Sequence, residues 1–309
     1  MRLVTTTDFL SAHFGMESTI DVLADAGFDC IDFSTFSSEE YYTEAHPASY
    51  YTELRVRAEA RGLSFVQAHA PFNSSRAGDD TWNEKRFHEI VCSMKNASLL
   101  GVKNIVVHPY QHLTFWEDGI PDRLFEINMA FYRRLMPYAE EYGIRVCTEN
   151  MYQQEGVIVQ HSACSKPYDM NRYFDAMKHP LFGCCLDVGH AVLVREDPSA
   201  FAREMGKERL ACLHVHDVDG MHDNHTLPYF GAVYEWDSHM GEYTGGVNWK
   251  RFMQTLAAVG YMGDLTLEAD RFMQSLPVEN ATDASRFMAE VGRYLIGIFD
   301  AAKKGGDVR

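Results

Sequence analysis

"YDMNRYFDAMKHPLFGCCLDVGHA", running from Tyr168 to Ala191, decides how the rest of the chain is read. Its first half has helical period, and its second half, "FGCCLDVGHA", is a short apolar run that ends in Asp187 and His190. The same pairing of helix and buried strand recurs on both sides. Upstream, the strongly periodic "DRLFEINMAFYRRLMPYAEEYGI" leads into "RVCTENMY". Downstream, "SAFAREMGKERL" precedes "ACLHVHDV", and "NWKRFMQTLAAVGYMG" precedes "DLTLEAD". Toward the N-terminus the rhythm runs through "RLVTTT", "CIDFST", "SFVQAHAP" and "NIVVHPY", each followed by a segment of helical period. "DASRFMAEVGRYLIGIFDAAKK" closes the series, giving eight strand-helix units with no break in composition between them.

Eight such units in 309 residues, with no dinucleotide-binding glycine fingerprint after the first strand, predict an α/β fold: a (β/α)₈ barrel formed as a single domain over residues 1–309. Long loops are expected after strand five (about 152–168) and strand seven (about 217–247). A barrel of this kind places its chemistry at the C-terminal ends of the strands, where the βα loops converge.

Strands three to eight each deliver an ionisable residue to that rim. His69 ends "FVQAHAP", His108 ends "NIVVHP", Glu149 ends "VCTEN", Asp187 and His190 end "CCLDVGHA", His214 and His216 end "CLHVHD", and Glu268 ends "LTLEAD". One such residue is ordinarily packed or solvated, but unrelated accidents would also fall in mid-strand and at N-terminal ends. Converging carboxylates repel one another where the dielectric is low, so the arrangement calls for a cation. Glu149, Asp187 and Glu268 with one imidazole offer three oxygens and one nitrogen. That set suits manganese, magnesium or cobalt at least as well as zinc, with manganese the first expectation and more than one ion compatible with the histidines.

Acidic residues outnumber basic ones 44 to 28, and the formal charge of −16 repels a phosphate backbone, so nucleic acid is not expected as a partner. The first residues lack a basic start followed by a long apolar run, and no stretch of about 18 uncharged apolar residues appears later; a cytoplasmic chain without membrane association is expected. The seven cysteines form no CxxC pair and read as buried free thiols.

"TEN", "DVGHA", "HVHD" and "LEAD", in this order, resemble the xylose isomerase-like barrel superfamily of sugar isomerases and epimerases, over nearly the whole chain. In the ketose 3-epimerases of that group one metal is held after strands five, six, seven and eight, which the resemblance places at Glu149, Asp187, His214 and Glu268. His214 is preferred to His216 because the group's strand-seven pattern reads His-x-x-acid, and His214 lies three residues before Asp217. His190 and Glu155 match positions that touch substrate in those epimerases, and His216 is left as a neighbour that contacts substrate or as a second-site ligand. The apurinic endonuclease type of the same superfamily holds three zinc ions, and His69, His108, Asp223 and His225 stand where its extra ligands stand. The resemblance is thus compatible with one, two or three metals, and leaves His69 and His108 open between metal and substrate contact. It departs from the epimerases about six residues beyond the metal histidine, where their arginine is replaced here by Gly220.

The function so implied is a divalent-metal-dependent sugar isomerase or epimerase acting on a ketose or related polyol. Glu149 and Glu268 would be its catalytic pair, one removing a proton beside the carbonyl and the other returning it through an enediolate. The ligand set also allows a dehydratase of a cyclic polyol or dehydroshikimate-like substrate, a multi-zinc hydrolase or endonuclease, and a sugar-binding barrel without turnover. "MYQQEGVIVQHSACSKPYD" and "LPYFGAVYEW" are long enough to act as lids, with Trp236 placed to stack on a sugar ring. Equally, Phe230, Tyr234 and Trp236 could pack at a subunit contact, and a homo-oligomer, dimer or tetramer, is expected. No phosphate-binding glycine cluster of the phosphosugar-barrel kind follows strand seven or eight, although "GEYTGGVNW" could offer backbone amides near a helix start, so an unphosphorylated polyol is expected ahead of a phosphorylated one.

Overall fold

The computed structural model describes residues 1–34, 36, 38–156, 158–231 and 246–305. Among them the strands are β1 (Leu3–Thr6), β2 (Cys30–Ser34), β3 (Ser64–His69), β4 (Asn104–Val106), β5 (Arg145–Glu149), β6 (Tyr152–Glu155), β7 (Ile158–His161), β8 (Phe182–Asp187), β9 (Leu210–His214) and β10 (Leu265–Leu267). Eight of these pair in parallel in the order β10-β1-β2-β3-β4-β5-β8-β9. The two edges meet where Val215 N donates to Thr266 O at 2.8 Å and Glu268 N donates to Val215 O at 3.0 Å, closing the barrel. The α/β barrel expected from the strand-helix rhythm is therefore the fold.

The helices are α1 (Asp8–Phe14), α2 (Met16–Ala26), α3 (Ala48–Ala60), α4 (Asp80–Leu100), α5 (Ile120–Tyr142), α6 (Pro167–Met177), α7 (Val188–Leu193), α8 (Pro198–Arg209), α9 (Trp249–Val259), α10 (Asp270–Gln274) and α11 (Ala281–Lys303). Their ends follow local chemistry. Asp79 caps α4 by accepting from Trp82 N at 2.9 Å, and Gly101 ends that helix at φ +91°, a conformation that costs glycine little. Strands with helices outside and side chains within are buried on both faces, which is why they read as unbroken apolar runs rather than alternating ones. The adjacent Cys184 and Cys185 show the two faces. Cys184 joins the large core against the helices, while Cys185 packs with Val106, Cys147, Ala211 and Cys212 in a small separate cluster. All seven cysteines are free, and all but Cys92 are buried.

The structure adds elements that the apolar pattern did not announce. The segment after β5 is a hairpin, with β6 and β7 antiparallel and Tyr152 opposite His161. Three short helices, α1, α7 and α10, start within three residues of the ends of β1, β8 and β10. Runs of five to seven residues are too short to display a helical period. No described helix is long and apolar enough to cross a membrane.

Candidate metal centre

The rim residues named from the sequence converge. Glu149, Asp187, His214 and Glu268 each present a ligand atom within 4.8 Å of the others, and all four are buried. His214 Nδ1 lies 3.1 Å from Glu149 Oε1 and 3.0 Å from Glu268 Oε2, so a single imidazole nitrogen faces carboxylates from β5 and from the end of β10. His216, two residues on, faces elsewhere: its Nε2 is 3.1 and 3.0 Å from the two oxygens of Asp187. The structure thus groups His214 with the three acids and makes His216 a clamp on Asp187.

Two further groups border the first. His69 Nε2 and His108 Nε2 stand 3.0 Å apart, and Glu149 Oε2 lies 3.6 Å from the former and 3.0 Å from the latter. On the other side His190, His216, Asp223 and His225 offer ligand atoms within 4.8 Å of one another. Asp223 Oδ2 is 3.0 Å from His225 Nε2 and 3.5 Å from His190 Nε2, and it accepts from the Tyr152 hydroxyl at 3.1 Å. Glu149 reaches both the first group and the His69/His108 group.

Local backbone sets these positions. Asp187 caps α7, accepting from His190 N at 2.6 Å, so His190 is carried into the site on the first turn of the helix that follows β8. Asn150 holds Asp187 from the neighbouring strand end, with Asn150 Nδ2 donating to Asp187 O and Asp187 N donating to Asn150 Oδ1, both at 2.8 Å. Gly189 leaves room for His216; a Cβ there would stand 2.1 Å from the imidazole. Asp223 and His225 arrive by a different route, on a loop that folds back so that Asp217 and Thr226 form an antiparallel bridge.

The charges are strongly coupled. Burial alone would raise the Glu149 carboxyl, yet the imidazoles of His214 and His108 hold it well below the usual range. Burial would likewise lower His214, but Glu268 and Glu149 push it well above the usual imidazole value. Glu268, buried beside His214, is held down to about 2, and His225, buried beside Asp223, is pushed up to about 10. His108 goes the other way: burial lowers it, leaving a neutral imidazole of the kind that binds metals.

Each group fits a divalent cation. Carboxylate oxygens and imidazole nitrogens converge within ligand-to-ligand distance, and Asp223 Oδ1 is a buried oxygen with no hydrogen-bond partner. The residues present could hold an ion at Glu149, Asp187, His214 and Glu268, a second at His69 and Glu149 with His214 or the nearby His108, and a third at His190, Asp223 and His225 with His216 beside it. The donors, oxygen-rich in the first set and nitrogen-rich in the other two, suit manganese, magnesium, cobalt or zinc in different measure.

A family model described as the xylose isomerase-like TIM barrel matches residues 20–291. The chain belongs to that family. Within the xylose isomerase-like barrels, it is 24% identical over 257 residues to an uncharacterized protein, MJ1311, of Methanocaldococcus jannaschii, covering 82% of this chain and 78% of the relative. It is 22% identical over 271 residues to a probable endonuclease 4 of Trichlorobacter lovleyi, covering 80% of this chain and 88% of the relative. Among solved structures, a D-tagatose 3-epimerase-like protein superposes with a TM-score of 0.73 at 19% identity, covering 97% of this chain and 98% of the other. IolI, solved with a bound zinc atom, gives 0.70 at 14% identity over 96% and 99%. At these identities the structural likeness speaks for the fold alone.

The remaining predicted residues are scattered. Glu155 is exposed on the β6–β7 hairpin and lines a shallow recess with Gln111 and Gln153 instead of the cavity over Glu149 and Glu268. Trp236 and Tyr234 lie outside the described residues, whereas Phe230 is exposed and packs against Phe272 and Phe287. That cavity, about 460 Å³, is lined by Phe72, His108, Glu149, Tyr152, His190 and Glu268 among others. A larger cleft of about 590 Å³ near Trp116, His161 and Arg195 shares no residue with the three ligand groups. Sequence reasoning passed over Asp8 and Asp270, which line a second cavity beside the first. Both stand just past strand ends, in "TTTDF" and "LEAD", two residues after β1 and three after β10, close to the signal that marked the other rim residues.

Proposed function

We propose that the chain is a divalent-metal-dependent sugar isomerase or epimerase that moves a proton on a ketose or related polyol. The observation that carries this reading is the pair of buried carboxylates, Glu149 and Glu268, on either side of His214 at 3.1 and 3.0 Å, beneath a cavity large enough for a sugar. A divalent ion bound there would polarise the carbonyl and stabilise the developing enediolate. Glu149 and Glu268, on different strands, can then meet opposite faces of a substrate carbon: one accepts the proton and the other returns it. His190 and Tyr152 line the cavity and can hold substrate hydroxyls, and Gln154 from the hairpin closes one side. Two structural neighbours, a D-tagatose 3-epimerase-like protein and a D-psicose 3-epimerase solved in the presence of D-fructose, support the sugar class.

Dehydration of a cyclic polyol starts with the same proton abstraction and is the first variant of this reading. A multi-zinc hydrolase is the second, favoured by the His69/His108 and Asp223/His225 groups and by the endonuclease 4 relative. The formal charge of −16 weighs against a polynucleotide substrate. The exposed Phe230 and Phe287 support a homo-oligomer.

The test is solvent exchange: protein loaded with manganese, cobalt or zinc is incubated in deuterium oxide with a panel of ketoses and inososes. Deuterium should enter at the carbon beside the carbonyl. Glu149→Gln and Glu268→Gln should each lower that exchange at least about 10³-fold, since each removes a carboxylate that serves both as proton acceptor or donor and as a metal ligand. No exchange with any member of the panel overturns the reading, and exchange retained in either variant overturns the two-carboxylate mechanism.

A further inference from the structure

Beside the cavity over the metal ligands lies a second one of about 410 Å³. The two share Phe72, Asp223, His225 and Glu268, so a ligand over the ligand cluster extends from one into the other. The second is lined further by Asp8, Phe36, Asp270, Arg271 and Gln274. Asp270 is fixed by the Thr6 hydroxyl, which donates to its Oδ1 at 2.8 Å. Asp8 is buried in the first turn of α1. Across from them Phe36 and Phe72 stack with ring centroids 3.9 Å apart and planes 25° from parallel. Arg271 is exposed at the edge of this lobe.

We infer that this lobe is a recognition subsite for the hydroxyl-bearing end of an unphosphorylated polyol, read by Asp8 and Asp270 and covered by the Phe36–Phe72 pair. The inference rests on the reading of the site as one for sugars. Carboxylate oxygens accept hydrogen bonds from vicinal hydroxyls, and an aromatic face takes up the C–H face of the same substrate. A phosphate at that end would meet Asp8 and Asp270, the two carboxylates of the lobe that are not assigned to a metal, with the guanidinium of Arg271 only at its edge. Like-charge contact of that kind is unfavourable, so the lobe selects by exclusion as well as by attraction.

The experiment compares a ketose with its terminal phosphate ester on the metal-loaded full chain. Solvent exchange gives turnover and isothermal titration gives binding. The free ketose should exchange with kcat/KM at least about 100-fold above its ester and bind correspondingly tighter. Asp8→Asn and Asp270→Asn should raise KM for the free ketose about tenfold with little change in kcat, and narrow its advantage over the ester, while metal content stays as in the parent. An ester turned over as well as or better than the free ketose overturns the subsite and leaves the sugar isomerase reading standing. So do variants whose preference is unchanged. Absence of exchange with both compounds and across the wider panel overturns that reading and the subsite with it.

Discussion

Asp217 is the carboxylate from which the loop carrying Asp223 and His225 hangs. It is 1% exposed, and it accepts from Val218 N, Tyr229 N and Trp249 Nε1 at 3.0 Å each and from Val247 N at 3.4 Å. Its backbone also pairs with Thr226, closing the fold-back. Replacing it with alanine leaves three well-placed donors without an acceptor. Hydrogen bonds to a charged group contribute about 1.5–3 kcal/mol each, but loop relaxation and entering water recover part of the loss, so the sum is not additive. A net destabilisation of about 3–5 kcal/mol follows, comparable to breaking a buried pair by removing one partner. At about 2 °C or slightly more per kcal/mol for a chain of this size, Tm should fall by roughly 6–12 °C. Asp217→Asn, which keeps one acceptor oxygen but turns an amide toward the remaining donors, should lose about half as much. The assay is thermal and urea unfolding followed by circular dichroism, with metal content measured on the same samples. A loss below about 1 kcal/mol for Asp217→Ala would refute the claim that this carboxylate organises the loop.

Gly189→Ala should cost about 1–3 kcal/mol and reduce metal content, because the new methyl occupies the place of the buried His216 ring that clamps Asp187; unchanged stability and metal content would count against that clamp. In chelator-treated protein, pH should act on both flanks. His225, raised from 6.5 to about 10, contributes stability that is full below pH about 6.5 and is lost as pH rises toward 10. Glu268, lowered from 4.5 to about 2, contributes stability that is full above pH about 4.5 and is lost as pH falls toward 2. Tm of the metal-free chain should therefore peak between pH about 4.5 and 6.5 and fall by several degrees by pH 9, a fall that metal loading suppresses because imidazoles bind ions in the neutral form. A metal-free Tm that climbs from pH 6.5 to 9 would contradict this.

The barrel and the first ligand group were legible because they are written in local pattern. Glu149, Asp187, His214 and Glu268 each directly follow or end an apolar strand run, and strand ends in such a barrel point to one rim. The roles of His214 and His216 were not separable by alternation, since residues two apart on a strand share a face. What divides them is the partner each reaches across the barrel: Glu149 and Glu268 for His214, Asp187 for His216. Asp223 and His225 were visible only as a dense polar tract, and their arrival at His190 depends on the Asp217–Thr226 bridge, a contact that no periodicity encodes. Glu155 stood at a matching distance along the chain, but the β6–β7 pairing carries it outward to solvent, because a hairpin strand sends alternate residues to opposite sides.

The most direct test of the central claim, that this rim is a metal centre, is elemental analysis of the dialysed protein paired with Tm before and after chelation. At least one divalent ion per chain is predicted. It should be retained at Glu149, Asp187, His214 and Glu268, lost in Glu149→Gln, and its removal should lower Tm. A chain that retains no divalent ion, and whose Tm is indifferent to manganese, cobalt, zinc and chelator alike, would contradict the account.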